Sequence, residues 1–159
     1  MTIRTDSPEA TRAVAAALGE LLEAGDLVLL VGDLGAGKTA FAQGIARGLG
    51  VDEPVTSPTF TIVQEYEGRL RLAHVDVYRL DRVQDLYDLG FDELVDDDGV
   101  TVVEWGDLVA QGVPAEHLVV RIEPGAVDTE RVLELSYHGP SWRGRRDHVE
   151  QALRDRVGG

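Results

Sequence analysis

Between Leu27 and Thr39 the chain reads Leu-Val-Leu-Leu-Val and then Gly-Asp-Leu-Gly-Ala-Gly-Lys-Thr. An unbroken apolar run suits a strand covered on both faces. The glycine-rich stretch after it satisfies G-x-x-x-x-G-K-[ST]. Glycines let such a loop turn tightly, so that backbone N–H groups converge on an anion. A helical pattern from about Lys38 to Leu49, stopped at Gly50, aims the positive end of its dipole at the same point. A glycine-rich turn alone arises by chance. The strand before it and the helix after it are what point to phosphate.

The chemistry follows from the residue types. Lys38 supplies an ammonium for the terminal phosphates, and the Thr39 hydroxyl suits Mg²⁺. Asp33, Gly35, Ala36, Gly37, Lys38, Thr39 and Ala40 are the candidate nucleotide-binding positions of the loop. Such a loop also needs an acid at the end of a neighbouring strand to hold the metal. Asp76 ends the apolar stretch from Leu70, and Glu104 ends Val100-Thr101-Val102-Val103. Asp76 holds the metal directly or through water; Glu104 orients the attacking water or makes a second metal contact. Either is equally open to being a solvated strand-end acid, because periodicity does not assign chemistry.

The remainder of the chain is less specific. Ser7-Pro8-Glu9 reads as a helix start, with Val14, Leu18, Leu21 and Leu22 at helical spacing and Gly25 as the stop. Thr59–Tyr66 and Arg69–Val77 read as a hairpin about Glu67-Gly68. Asp81–Asp88 reads as a short helix, Thr101–Glu104 as a strand, and Leu118–Ile122 with Arg131–Tyr137 as a late pair. Trp142–Val157 reads as a polar, Arg-rich helix. Residues 1–140 form one domain, with 141–159 as a polar tail or helix of the same domain. Thr56-Ser57-Pro58-Thr59-Phe60-Thr61 is either a loop that orders around a γ-phosphate or an ordinary polar loop. His74 lies one strand period before Asp76 and shares its face, which suits a buried, hydrogen-bonded histidine better than a catalytic one. Asp96-Asp97-Asp98-Gly99 lacks the alternating acids of a calcium loop and reads as a solvated turn. Trp105 is a core anchor or a wall of the nucleotide site. Arg143, Arg145 and Arg146 are surface charge or a docking patch.

Composition narrows the partners. The net charge of −14 opposes direct binding to nucleic acid or to anionic lipid. There are no cysteines, hence no disulfide frame and no thiolate site. No apolar run is long enough to span a bilayer, so the expected location is the cytoplasm. The chain has no Asn, and its one Lys is Lys38. The Asn-Lys-x-Asp element by which GTP-binding P-loop proteins read guanine is therefore missing, which favours ATP.

Taken together, Gly32–Thr39, Thr56–Thr61, His74-Val-Asp-Val-Tyr-Arg79 and Glu104-Trp-Gly106 resemble the TsaE family, across about residues 5 to 137. These are small bacterial ATPases of tRNA threonylcarbamoyladenosine (t6A) formation. The resemblance implies a P-loop three-layer α/β/α sandwich with a mixed sheet, binding of Mg-ATP, and association with the TsaD–TsaB pair. That pair modifies adenosine 37 of tRNA, and hydrolysis supports its turnover without forming the t6A bond. By motif match Thr39 and Asp76 are Mg²⁺ positions, Glu104 a catalytic or metal-linked acid, Trp105 a neighbour of the nucleotide, and Thr59 part of a switch-like loop. Two other functions compete: a small-molecule kinase, and a nucleotide-gated binding module with negligible hydrolysis.

Overall fold

A computed structural model describes residues 1–33, 37–56, 63–77, 88, 95, 98–105 and 113–158. Its centre is the apolar run foreseen above, strand β2 (Leu27–Val31), buried from Leu27 through Leu30. Around it lie β1 (Thr2–Thr5), β3 (Val63–Tyr66), β4 (Arg71–Val77), β5 (Gly99–Trp105), β6 (His117–Pro124) and β7 (Arg131–His138). They form one mixed sheet in the order β1-β7-β6-β2-β5-β4-β3. Strands β4, β5, β2 and β6 run parallel; β3 and β7 run against their neighbours, and β1 pairs antiparallel with β7. The fold is α/β, as expected from the strand–loop–helix signature.

Three helices are described: α1 (Pro8–Leu21), α2 (Lys38–Gly48) and α3 (Pro140–Gly158). They share one apolar cluster with Val28, Leu30, Leu72, Val100, Val102 and Val120 of the sheet. Leu27, Leu29, Val75 and Val103 form a second cluster on the opposite face, with Val95 and Val113 against it. Alternation along β2, β4 and β5 therefore feeds two cores, which is why these central strands carry few polar residues. Among the described residues no helix is long and apolar enough to cross a membrane.

Helix α1 starts as its sequence predicts: the Ser7 Oγ accepts from Ala10 N at 3.0 Å, with Pro8 in the first turn. Its end differs. The helix stops at Leu21, before Gly25, because Leu22 turns extended and the Asp26 carboxylate accepts from Glu23 N at 2.8 Å. Arg69 then caps the exposed carbonyls, donating to Gly19 O at 2.9 Å and Leu22 O at 3.1 Å.

Helices α1 and α2 approach unusually closely. A Cβ at Gly44 would lie 2.4 Å from Arg12 O, and one at Gly48 would lie 2.2 Å from Ala16 O. Only glycine permits that contact.

Two sequence expectations need correction. Strand β1 was not foreseen: only Ile3 and Thr5 turn inward, too few positions for a period-two signal. Helix α3 is polar along most of its surface but carries a buried seam of Trp142, Val149 and Leu153. Arg145 also faces inward, and its guanidinium grips Asp26 through bonds of 2.9 and 2.8 Å. It lies 3.8 Å over the Trp142 ring and meets Glu23 at 3.1 Å. The pairing with Asp26 raises the already high pKa of Arg145 further. Of the short helix and the acidic turn expected from sequence, residues 81–87 and 96–97 fall outside the described residues.

Candidate functional site

The parallel strands end on one side of the sheet, and β2 runs there into Gly32 and Asp33. Helix α2 begins on the same side, with Gly37 as its N-cap at φ 107° and ψ 16°. An L side chain is disfavoured in that conformation. A Cβ at Gly37 would also stand 3.4 Å from Nε of Arg131, whose side chain reaches this glycine from the start of β7. Lys38 is buried, and its ammonium arches back over the start of the loop. Its Nζ donates to Gly32 O at 2.5 Å and to Asp33 O at 3.2 Å.

Beneath the helix, alternate residues of β4 read Leu72, His74, Asp76, and those of β5 read Val100, Val102, Glu104. In both rows apolar side chains give way to ionisable ones toward the glycine-rich loop. The register sets Asp76 directly opposite Glu104 and His74 opposite Val102. Relative exposure is 0 % for His74, 6 % for Asp76 and 3 % for Glu104, so neither acid is a solvated strand-end residue. Thr39 Oγ1 donates to the Glu104 carboxylate, at 3.1 Å to Oε1 and 3.4 Å to Oε2. His74 Nε2 makes a hydrogen bond to Glu104 Oε2. His74 Nδ1 finds no hydrogen-bond partner among the described residues.

Burying two carboxylates side by side costs several kcal/mol (about that per ion) unless cations or donors compensate. The core does not need them there, and a cluster of this kind marks a site that uses charge. One hydroxyl and two carboxylates form a hard-oxygen set, which fits Mg²⁺ and disfavours soft metals. Thr39, Asp76 and Glu104 are the residues here that would hold it.

The structure thus brings together Lys38, Thr39, Asp76 and Glu104 from separate sequence stretches. Gly37 sits at the head of the helix, and Ala40 lies half-buried in its first turn. The Asp33 carbonyl meets Lys38, as given above. Trp105 continues β5 opposite Val31 and Val77; its side chain, and Gly35, Ala36 and Thr59 altogether, lie outside the described residues. Sequence reasoning placed His74 on the face of Asp76 but did not connect it to Glu104. That link spans 30 positions and depends on strand register. Arg131 beside Gly37 carried no local signal.

A family model described as "Threonylcarbamoyl adenosine biosynthesis protein TsaE" matches residues 5–133. A tRNA threonylcarbamoyladenosine biosynthesis protein TsaE of Bacillus subtilis is 44% identical over 137 residues, covering 86% of this chain and 85% of the relative. One from Treponema pallidum is 53% identical over 97 residues, covering 61% of this chain and 72% of the relative. Among solved structures, the crystal structure of Bacillus subtilis YdiB superposes with a TM-score of 0.80 at 37% identity, covering 95% of this chain and 94% of that one.

Proposed function

The chain belongs to the TsaE family of tRNA threonylcarbamoyladenosine biosynthesis, and from that premise we propose that it is a Mg-dependent ATPase serving the TsaD–TsaB pair. The observation that carries this reading is the Thr39–Glu104 hydrogen bond, set opposite Asp76 at the head of the phosphate loop. Metal-binding and phosphate-binding elements then share one small volume.

Each residue has a role in this reading. The N–H groups at the start of α2 and the Lys38 ammonium bind the β- and γ-phosphates and draw off charge as it develops. Lys38 gives up its bonds to the Gly32 and Asp33 carbonyls to do so. Thr39 and Asp76 would hold the metal, with Glu104 as a further contact to it. A bound Mg²⁺ supplies electrostatic stabilisation of the phosphate oxygens. Glu104 accepts a hydrogen bond from the attacking water and aligns it with the γ-phosphorus. Loss of phosphate releases the segment around Thr59 and weakens docking on TsaD–TsaB. The net charge of −14 agrees with contact through proteins, with tRNA left to the partners.

The test is Mg-ATP hydrolysis by the chain alone and with TsaD–TsaB, with Lys38→Ala as control. Hydrolysis that rises with the pair and falls by about 100-fold or more in the control is expected. If Lys38→Ala binds and turns over Mg-ATP like the parent, the phosphate site is misassigned. Turnover indifferent to TsaD–TsaB removes the partner role.

A further inference from the structure

We propose that His74 is a positioning residue, whose Nε2–H holds the Glu104 carboxylate in the orientation that faces Thr39. Its effect on turnover rests on the ATPase reading above; the contact itself does not.

Glu104 has three side-chain torsions, and fixing them costs about 1.5–2 kcal/mol of rotamer freedom. Two contacts on the described residues oppose that freedom. Thr39 approaches Oε1 more closely than Oε2, while His74 takes Oε2. The His74 bond is diagonal: the histidine pairs with Val102 and reaches Glu104, the next residue on that face. It draws the carboxylate back along β5. Without this donor the group directly opposite is another acid, Asp76, and like charges repel.

In this proposal the proton lies on Nε2 and is donated to the Glu104 carboxylate. Nδ1 is then a lone pair. That is consistent with its lacking a described partner, since an unpaired buried acceptor is tolerated better than an unpaired N–H. His74 is fully buried, so solvent does not reach the ring to replace the bond. A short planar ring with two torsions fixes its nitrogen more tightly than a long amide or ammonium does.

The pair His74→Gln and His74→Asn separates positioning from packing. Both are polar amides, but only the Gln amide reaches the place of Nε2. Relative to the parent, Asn should lower kcat for Mg-ATP by about 10-fold or more, with KM little changed, and Gln should restore most of the loss. Crystal structures of the two variants should show Glu104 turned from Thr39 with Asn and kept with Gln. Nitrogen-15 NMR of the unmodified protein without nucleotide should find His74 protonated on Nε2. Equal losses in both variants, an unmoved Glu104 in the Asn variant, or a proton on Nδ1 would overturn the proposal. If the parent itself fails to hydrolyse Mg-ATP with or without TsaD–TsaB, the ATPase reading falls; the tautomer and the Glu104 orientation then decide the positioning claim by themselves.

Discussion

Strand β2 ends in charge at both extremities, and the two ends are built differently. Before Leu27, the Asp26 carboxylate receives two guanidinium donors of Arg145 and the Glu23 N–H. Fork meets fork, and an aromatic ring backs the cation. At the other end, level with Leu30, Glu104 of β5 has a hydroxyl and an imidazole for partners, with Asp76 across the register. One cluster is closed by a full cation. In the other, two acids share a corner whose nearest described ammonium, Lys38, is turned to the loop carbonyls. Bidentate pairing of the first kind fixes a fold, and two neighbouring acids of the second kind form the site proposed above for a metal and a nucleotide. The sheet thus has an anchoring end and a working end.

The largest test of that contrast is Asp26→Ala. It leaves the part-buried guanidinium facing the exposed Glu23 carboxylate and should cost about 3 kcal/mol of stability, read by urea unfolding, while Mg-ATP affinity holds. A stability loss under 1 kcal/mol (about that of an exposed pair) would break the comparison. Next, Glu104→Gln removes a buried charge without changing shape. Turnover should fall about 100-fold, while the melting temperature stays level or rises, since active-site charge is held against stability. A large drop in melting temperature would instead make Glu104 an anchor like Asp26.

The smallest effect concerns pH. His117 and His138, paired across β6 and β7, stack with centroids 4.4 Å apart at the anchoring end. Burial, and secondarily the charge of His138, hold the His117 imidazole below its usual pKa, although its bond to Pro114 O works the other way. The unfolded chain therefore takes up this proton first as pH falls. Stability from this site is complete above about pH 6.5 and declines below it, levelling off once the folded form is also protonated. Thermal melts between pH 7.5 and 5 should show a shallower acid decline in His117→Gln than in the parent. Identical profiles would remove the site from the pH response.

The working end was more legible in the sequence than the anchoring end, for a physical reason. A phosphate-loop motif is written in consecutive residues, so the G-x-x-x-x-G-K-[ST] pattern of Gly32–Thr39 can be read from local order alone. Strand-end acids show where an apolar stretch stops, and Asp76 and Glu104 were picked out that way, with their chemistry left open. Their proximity, and that of His74, required the β4–β5 register, which no local pattern encodes. The Arg145–Asp26 clasp joins residues 119 positions apart, and α3 hides its apolar seam at widely spaced positions amid arginines. Strand β1 has too few inward residues to announce itself.

The pairing of β1 with β7 has a consequence in time. Thr5 lies opposite Arg131, so the first strand of the sheet is synthesised long before its mate. At about 5–20 residues per second the wait is on the order of ten seconds. During it, residues 2–5 expose a bare backbone edge on the ribosome, with the Thr5 and Thr11 hydroxyls, 2.6 Å apart in the finished fold, as their tether to α1. Shortness and the alternate outward polar side chains, Thr2 and Arg4, are what keep that waiting edge from recruiting a stranger.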